Sequence, residues 1–544
     1  MYDYVIVGGG SAGCVLANRL SADGRYRVCL LEAGPADTDP MIRMPAGVIS
    51  QMRSDRHNWK FWTVPQAEMG QRRLYWPRGR VLGGSSAINA MCYVRGHASD
   101  YDHWAALGNP GWSYDEVLPY FRRLEHFEPG ADGLDDAQAR YHGLGGPLHA
   151  SRLRHHNPLS EVFLEATRQA GHPANDDFNG AEQAGMGFYH VAQQGGERCS
   201  NARAYLRPAE GRRNLDIITG VRATRVLFDA RRAVGVRYYA AGTYREVGAQ
   251  REVILAAGAI GSPQLLLLSG VGPAEELARH AITPVQVLEG VGRNLQDHLD
   301  AYVSMRSRTR LGLSLHPLSL LRSLKALVLY VFGRRGELTS NVAEAGGFLK
   351  SSPDEPVPDL QFHFVPLVYA YHGLDLRPLL RHYGYTIMAC DLRPHSRGEI
   401  RLHNADPLAP PEIDPRHFED PRDLDKLVTA LRKAREVFAQ AAFAPHNAEE
   451  MHPGAEVRSD DDLRQWLRGH AETLYHPVGT CKMGSDPLAV VDARLRVHGL
   501  EGLRVVDASI MPTLVGGNTN VPTTMIAEKG ADMILQDAGH RMST

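Results

Sequence analysis

The stretch YDYVIVGGGSAGCVLANRLSADGRYRVCLLEAG, Tyr2 to Gly34, leaves the start of the chain little choice of fold. Tyr4 to Val7 is a short β-prone run, Val15, Leu16 and Leu20 recur at helical spacing, and Arg27 to Leu31 returns to a strand pattern. In the turn, Gly8, Gly10 and Gly13 fill a G-x-G-x-x-G template, with Ser11 and Ala12 between them. The first glycine permits a sharp turn, the second admits a pyrophosphate to backbone N–H groups, and the third lets helix and strand pack closely. Glu32 ends the second strand 19 residues after Gly13, where a carboxylate accepts hydrogen bonds from ribose hydroxyls. Strand, helix and acid together predict a dinucleotide fold of the α/β class. FAD and NAD both carry adenosine diphosphate, so this segment does not separate them.

A chain of 544 residues exceeds one comfortable core, so two or more domains are expected. A charged content of 22% and a net charge of -2 carry no electrostatic bias toward nucleic acid, which is not an expected partner. The six cysteines are widely spaced without a C-x-x-C pair, which predicts reduced thiols and no metal. The N-terminus shows no basic leader, and no apolar run approaches the ~18 residues of a spanning helix. A cytoplasmic location follows, with peripheral contact at the inner membrane as a variant raised by one apolar segment described below.

Further along, RGRVLGGSSAINAMCYVRG (Arg78 to Gly96) offers backbone donors and small side chains suited to a flat polar ring, or to a turn between strands. In EVILAAGAIGSPQLLLLSGVG (Glu252 to Gly272) an apolar strand is followed by a helix expected to start at Ser262-Pro263. GVGRNLQDH, SRGEIRL with ADPLAPPEIDP, HPVGTCKMG and VVDASIMPTLVGGNTNVPTTMIAEKGAD follow in that order. In this set and order the chain resembles the glucose-methanol-choline (GMC) oxidoreductases over nearly its whole length, most of all the bacterial aliphatic alcohol dehydrogenases and choline dehydrogenases.

The resemblance implies a Rossmann-like FAD-binding domain and a second, substrate-binding domain on a mostly antiparallel sheet flanked by helices. The first is expected over 1–160, 200–310 and 470–544, the second over 161–199 and 311–469. It implies FAD as cofactor, with Gly8, Gly10, Gly13 and Glu32 at the ADP moiety. Val81, Gly84, Asn89 and Met91 would lie along the flavin, Val221 at the adenine, and Asp507 and Ala508 near the pyrophosphate and ribitol. Some relatives link FAD through a histidine immediately before the loop asparagine. Ile88 stands there in this chain and has no nucleophilic nitrogen, so non-covalent FAD is expected.

His476 precedes Pro477 and is therefore biased toward extended backbone, with Gly479 and Gly484 allowing close approach nearby. Taken alone, such a histidine is an ordinary polar loop residue. The resemblance implies that it faces the flavin with a second polar residue, placed at Asn520, and that it accepts the hydroxyl proton while hydride passes to flavin N5. On local grounds Asn520 is a cap for the helix that follows, with Pro522 in the first turn.

Asn341 to Phe348 and Pro358 to Pro366 are expected as sheet strands. Glu344 matches a position that faces substrate in choline-oxidising relatives, although a strand-edge carboxylate reads the same way. Tyr475, with Trp59 and Trp62, is available for an aromatic cage. Leu313 to Gly336 is the most apolar segment, and either a lid or a bilayer-surface helix satisfies it. Ser459 opens a capping box. The expected activity is FAD-dependent oxidation of primary alcohols to aldehydes, with electrons passed to a quinone or another non-oxygen acceptor. An oxidase, a choline dehydrogenase and a flavin-containing hydroxynitrile lyase are the competing readings.

Overall fold

The computed structural model describes residues 1–129, 133–369, 371 and 374–539. Strand Tyr2–Val7, helix Ser11–Leu20 and strand Val28–Glu32 form the first unit, and the two strands pair in parallel, Val5 opposite Cys29. Leu215–Thr219 adds beyond Val28–Glu32, while Thr243–Leu255 and then Leu503–Val505 add on the other side, all parallel. Every residue of Val28–Glu32 is buried, as a parallel strand covered on both faces requires. Gly13 holds the helix against this sheet, because a Cβ there would lie 1.8 Å from the Gly8 carbonyl oxygen. The C-terminal helix Asn520–Asp537 packs on Ser11–Leu20, bridged by Arg19 and the buried Glu528 at 2.7 Å.

Thr243–Leu255 belongs to two arrangements. Its first half pairs antiparallel with Arg232–Ala240, and its second half enters the parallel sheet. The helix that follows starts at Gly258, not at Ser262, and Pro263 lies inside it. A proline interior to a helix leaves the carbonyl four residues earlier without its N–H. Here the Thr480 hydroxyl donates to the Ala259 carbonyl oxygen at 2.6 Å and replaces it.

The second sheet runs Asn447–His452, Leu299–Ser307, Gly384–Asp391, Leu360–Val365, Ala345–Leu349, Gly185–Phe188, and every pairing in it is antiparallel. Leu299–Ser307 lies within the segment 200–310 expected on the FAD side, yet it pairs in this sheet, as does Glu472–Thr473. The crossing therefore falls next to His298, where a strand begins whose first seven residues are buried. Leu360–Val365 shows why the sheet positions a site. Phe364 stacks on Phe163 of helix Pro158–Gln169 at 4.8 Å, while alternate residues His363 and Val365 line a cavity between the sheet and the dinucleotide unit. Ser459 caps helix Asp460–His470 through the expected box with Asp462.

Candidate active site

One cavity extends from the glycine turn to His476. Gly8, Gly10, Ser11, Ala12, Glu32, Val221, Asp507 and Ala508 line one end. The Glu32 carboxylate accepts from Gly9 N at 2.8 Å and from Gly34 N at 2.7 Å, and burial pushes its pKa up to about 7. Asp507 accepts from Ser262 Oγ at 2.6 Å and Gly258 N at 2.9 Å, which ties the start of helix Gly258–Leu268 to the cavity wall. Gly13 serves packing and does not line the cavity.

Gly84, Ile88, Asn89 and Met91 line the middle. Asn89 Oδ1 accepts from Arg198 Nη1 at 2.8 Å and from Met91 N at 3.1 Å, supporting Met91 at φ 60°, a region a branchless glycine would occupy more easily. Val81 is not part of the wall. It is fully buried with Ile42, Ala87 and Ile88 in a small apolar cluster behind it.

His476 stands at the far end, on a loop pinned by Asp297 and Arg78. Its backbone N donates to Asp297 Oδ1 at 2.6 Å, the Thr473 hydroxyl donates to the other oxygen of the same carboxylate, and Arg78 Nη2 donates to the Tyr475 carbonyl at 2.5 Å. Tyr475 itself takes φ 69° to turn the chain toward the cavity.

Two chains of hydrogen bonds, each beginning at a main-chain carbonyl that can only accept, determine where the protons lie. On one side, His298 Nε2 lies 3.2 Å from the Leu392 carbonyl, so Nε2 carries the proton and His298 Nδ1 is bare. His476 Nδ1, 2.9 Å from that nitrogen, must then donate, which leaves His476 Nε2 unprotonated. On the other side, the Tyr189 hydroxyl donates to the Phe362 carbonyl at 2.7 Å and accepts from Gln361 Nε2 at 3.1 Å. The same Gln361 amide nitrogen donates to Asn518 Oδ1 at 3.2 Å, so the Asn518 Nδ2 donor faces His476 Nε2 at 3.4 Å. Burial first, then the His298, Arg78 and His363 neighbours, hold His476 well below the ordinary histidine range. Burial likewise takes His298 down to about 3 and His363 down to about 4. The site thus presents a neutral imidazole lone pair beside an amide donor, an arrangement able to accept a proton from a hydroxyl while its oxygen keeps a hydrogen bond.

The structure moves the partner amide from Asn520 to Asn518. Asn520 is the first residue of its helix and its Oδ1 accepts from Ser11 Oγ at 2.7 Å, joining the glycine turn to the C-terminal helix. Asn518 lies two residues before the helix, so its side chain is free to reach across to the histidine. Glu344 is also corrected. It does not line the cavity, and its carboxylate accepts from Asn157 N at 2.7 Å, Ser160 Oγ at 2.7 Å and Ser340 Oγ at 2.6 Å. Those donors surround the start of helix Pro158–Gln169, whose positive end favours a carboxylate. Glu344→Ala is therefore expected to cost roughly 3 kcal/mol of folding stability. Chemical denaturation reads that loss, and the relative rates on choline and aliphatic alcohols stay unchanged.

Tyr475 does line the cavity, with its hydroxyl 3.2 Å from that of Tyr369. Trp59 stacks on Phe61 at 5.7 Å, and Trp62 is half exposed and outside the cavity, so the two tryptophans and Tyr475 do not form one cage. His298, Gln361, His363 and Asn518 join the site without standing out in the sequence motifs. His298 directly follows the Asp297 that holds His476, and Gln361 and His363 share one face of a strand whose other face is phenylalanine. Period-2 alternation was the available signal.

A dinucleotide cradle joined by one cavity to a buried neutral imidazole and an apolar pocket has the parts of a cofactor-dependent oxidoreductase. Sequence profiles described as GMC oxidoreductase match residues 2–300 and 394–527, and the chain belongs to that family. It is 50% identical over 540 residues to the alcohol dehydrogenase [acceptor] of Pseudomonas putida, covering 98% of this chain and 96% of that one. It is 45% identical over 543 residues to mitochondrial choline dehydrogenase of Mus musculus, covering 98% and 89%. Among solved structures, pyridoxine 4-oxidase from Mesorbium loti superposes with a TM-score of 0.88 at 32% identity, covering 99% of this chain and 100% of that one. A formate oxidase superposes with a TM-score of 0.91 at 26% identity, covering 99% and 98%.

FAD is the cofactor. The donor set fits it: N–H groups at the glycine turn and the start of helix Ser11–Leu20 suit the pyrophosphate, and the Gly84 to Met91 wall suits the ring.

Proposed function

We propose that this protein oxidises primary aliphatic alcohols to aldehydes and passes the electrons to a quinone or another non-oxygen acceptor. The observation that carries this reading is the pairing of a bare His476 Nε2 with the Asn518 amide at the edge of an apolar pocket. Val342, Ala343, Val365, Leu367, Met388 and Leu474 line that end. Bound FAD supplies the two-electron acceptor for the α-hydrogen. His476 Nε2 accepts the hydroxyl proton, and Asn518 Nδ2 donates to the same oxygen as negative charge develops on it. Tyr475 and Tyr369 close one side of the pocket with their linked hydroxyls.

The 50% identity to an alcohol dehydrogenase [acceptor] supports the neutral-alcohol reading. Choline is less well served on the charge side, because no carboxylate among the described residues stands at the apolar end to meet a quaternary ammonium, which leaves Tyr369 and Tyr475 as the aromatic groups there. Glu344 is committed elsewhere, and the acids that line the cavity, Glu32 and Asp507, stand at the dinucleotide end. Non-covalent attachment is supported by Ile88, an aliphatic wall residue at the place where some relatives carry the linking histidine.

The test is anaerobic bleaching of the flavin by a panel of primary aliphatic alcohols, aromatic alcohols and choline. Aliphatic alcohols are expected to reduce it fastest. Bleaching by choline alone would overturn the substrate assignment, and no bleaching by any alcohol would favour a lyase. Rapid peroxide formation in air would identify an oxidase. Acid precipitation is expected to release all yellow colour into the supernatant, and colour in the pellet would refute dissociable FAD.

A further inference from the structure

We propose that helix Leu320–Gly333, with Leu315 and Leu318 just before it, is a docking surface for an anionic lipid bilayer. Within this helix only Ala326 and Tyr330 are buried, and they form the single stripe that fastens it to the protein. The remaining apolar side chains point outward: Leu318 is 62% exposed, Leu320 71%, Leu321 81% and Phe332 86%. Leu315, Leu324, Leu327, Val328, Leu329 and Val331 are exposed as well. A lid would turn such residues toward the cavity it covers, and none of them lines the cavity. A patch this continuous on a water-facing surface marks a binding face.

Length and charge select the occupant. Fourteen residues make a helix about 21 Å long, short of the ~30 Å hydrocarbon core, and no helix among the described residues is long and apolar enough to cross a membrane. The helix is suited to lie in the interface with its apolar side in the acyl boundary. Residues 308–336 contain Arg308, Arg310, Arg322, Lys325, Arg334 and Arg335 and no acidic residue. Arg322 is bound to Glu337 at 2.5 Å and Arg334 to Glu197 at 2.9 Å. Arg310, Lys325 and Arg335 are exposed without an ion pair among the described residues, placing cations around the apolar face where anionic headgroups would meet them. A second copy of the chain would bring the same cations against each other, which disfavours self-association through this face.

The position of the helix ties it to the apolar end of the cavity. Before it, Leu313 N donates to the Pro366 carbonyl at 2.6 Å, between the cavity residues Val365 and Leu367. After it, Glu337–Thr339 packs on Pro45–Gly47, and the flanking residues Asn341 to Ala343 and Val48, Ile49 and Met52 all line the cavity. Seating the helix on a bilayer would set this end of the cavity toward the lipid. The proposal rests on exposure and charge and does not depend on which alcohol is oxidised.

The experiment is flotation of the FAD-loaded full chain with vesicles of phosphatidylcholine alone or mixed with phosphatidylglycerol. Wild type is expected to float with the anionic vesicles and to be partly released by high salt. The Leu321→Glu/Phe332→Glu variant should bind them at least ~10-fold more weakly, while Lys325→Glu/Arg335→Glu should lose the preference for phosphatidylglycerol. Both should retain wild-type thermal stability and turnover with a short-chain alcohol and a soluble dye acceptor. Failure of wild type to float, or flotation of the Leu321→Glu/Phe332→Glu variant like wild type, would overturn the proposal. So would a wild-type oligomer that this variant converts to monomer without any vesicle binding, because the face would then be a contact between copies.

Discussion

His476→Ala is expected to slow anaerobic flavin reduction by alcohol by ~10²- to 10⁴-fold, the usual range for a lost general base, with FAD content unchanged. The size follows from how completely the site depends on one lone pair. His298 and His363 lie nearby, but His298 Nδ1 is already occupied by the His476 N–H, and His363 faces Asn518 from strand Leu360–Val365. Neither is placed to take over the proton. Wild-type reduction rates in His476→Ala would end the assignment. Asn518→Ala should also slow reduction, whereas Asn520→Ala should act mainly on the fastening of the glycine turn through Ser11. The same imidazole predicts a pH dependence. Its pKa in the folded protein is depressed, so the neutral base persists as pH falls past the ordinary ~6.5 and is lost only on passing the lower folded value. The limb of kcat/KM assigned to this group should therefore lie well below pH 6.5. A limb at or above that value would show that the resting site is more hydrated, or more negatively charged, than its geometry indicates.

Much of the dinucleotide unit could be read from the chain because its signals are local. Gly8, Gly13 and Glu32 each answer a constraint set within one strand-turn-helix-strand unit, and the residues involved are close in sequence. The errors fall where distant segments decide. Pro263 was expected to open a helix, but Thr480, more than two hundred residues later, supplies the hydroxyl that lets the proline sit inside one. Glu344 faces substrate only by the family resemblance, and the arrival of Asn157 and Ser160 makes it a helix anchor instead. GGNTN contains two asparagines two residues apart, and no local rule says which one precedes the helix by enough to swing toward His476. Once Asn520 begins the helix and binds Ser11, Asn518 is the one left to face the imidazole. The amide chain from Tyr189 through Gln361 could not be read at all, since Tyr189, Gln361 and Asn518 are far apart in sequence and their donor and acceptor roles follow from one carbonyl, that of Phe362.

His298→Leu is expected to lower the rate of flavin reduction by ~10- to 100-fold even though residue 298 touches neither the alcohol nor the base nitrogen. In the native protein the His476 Nδ1–H is satisfied by His298 Nδ1 at 2.9 Å, inside a buried pair of rings. Leucine removes that acceptor. A buried donor left unpaired costs about 1–3 kcal/mol, and the ring escapes the cost by moving its proton to Nε2, the nitrogen that must be bare. At about 1.4 kcal/mol per factor of ten, that penalty corresponds to the expected loss. His298→Gln offers an amide oxygen in place of the imidazole nitrogen and should recover most of the rate, which a role in packing alone would not require. Nitrogen NMR of His476 supplies the decisive reading: Nδ1 protonated in wild type and in His298→Gln, Nε2 protonated in a substantial fraction of His298→Leu. Equal losses in the two variants with an unchanged tautomer would assign His298 to packing and leave the orientation of His476 to its loop, to Asp297 below it and to the Arg78 contact with Tyr475.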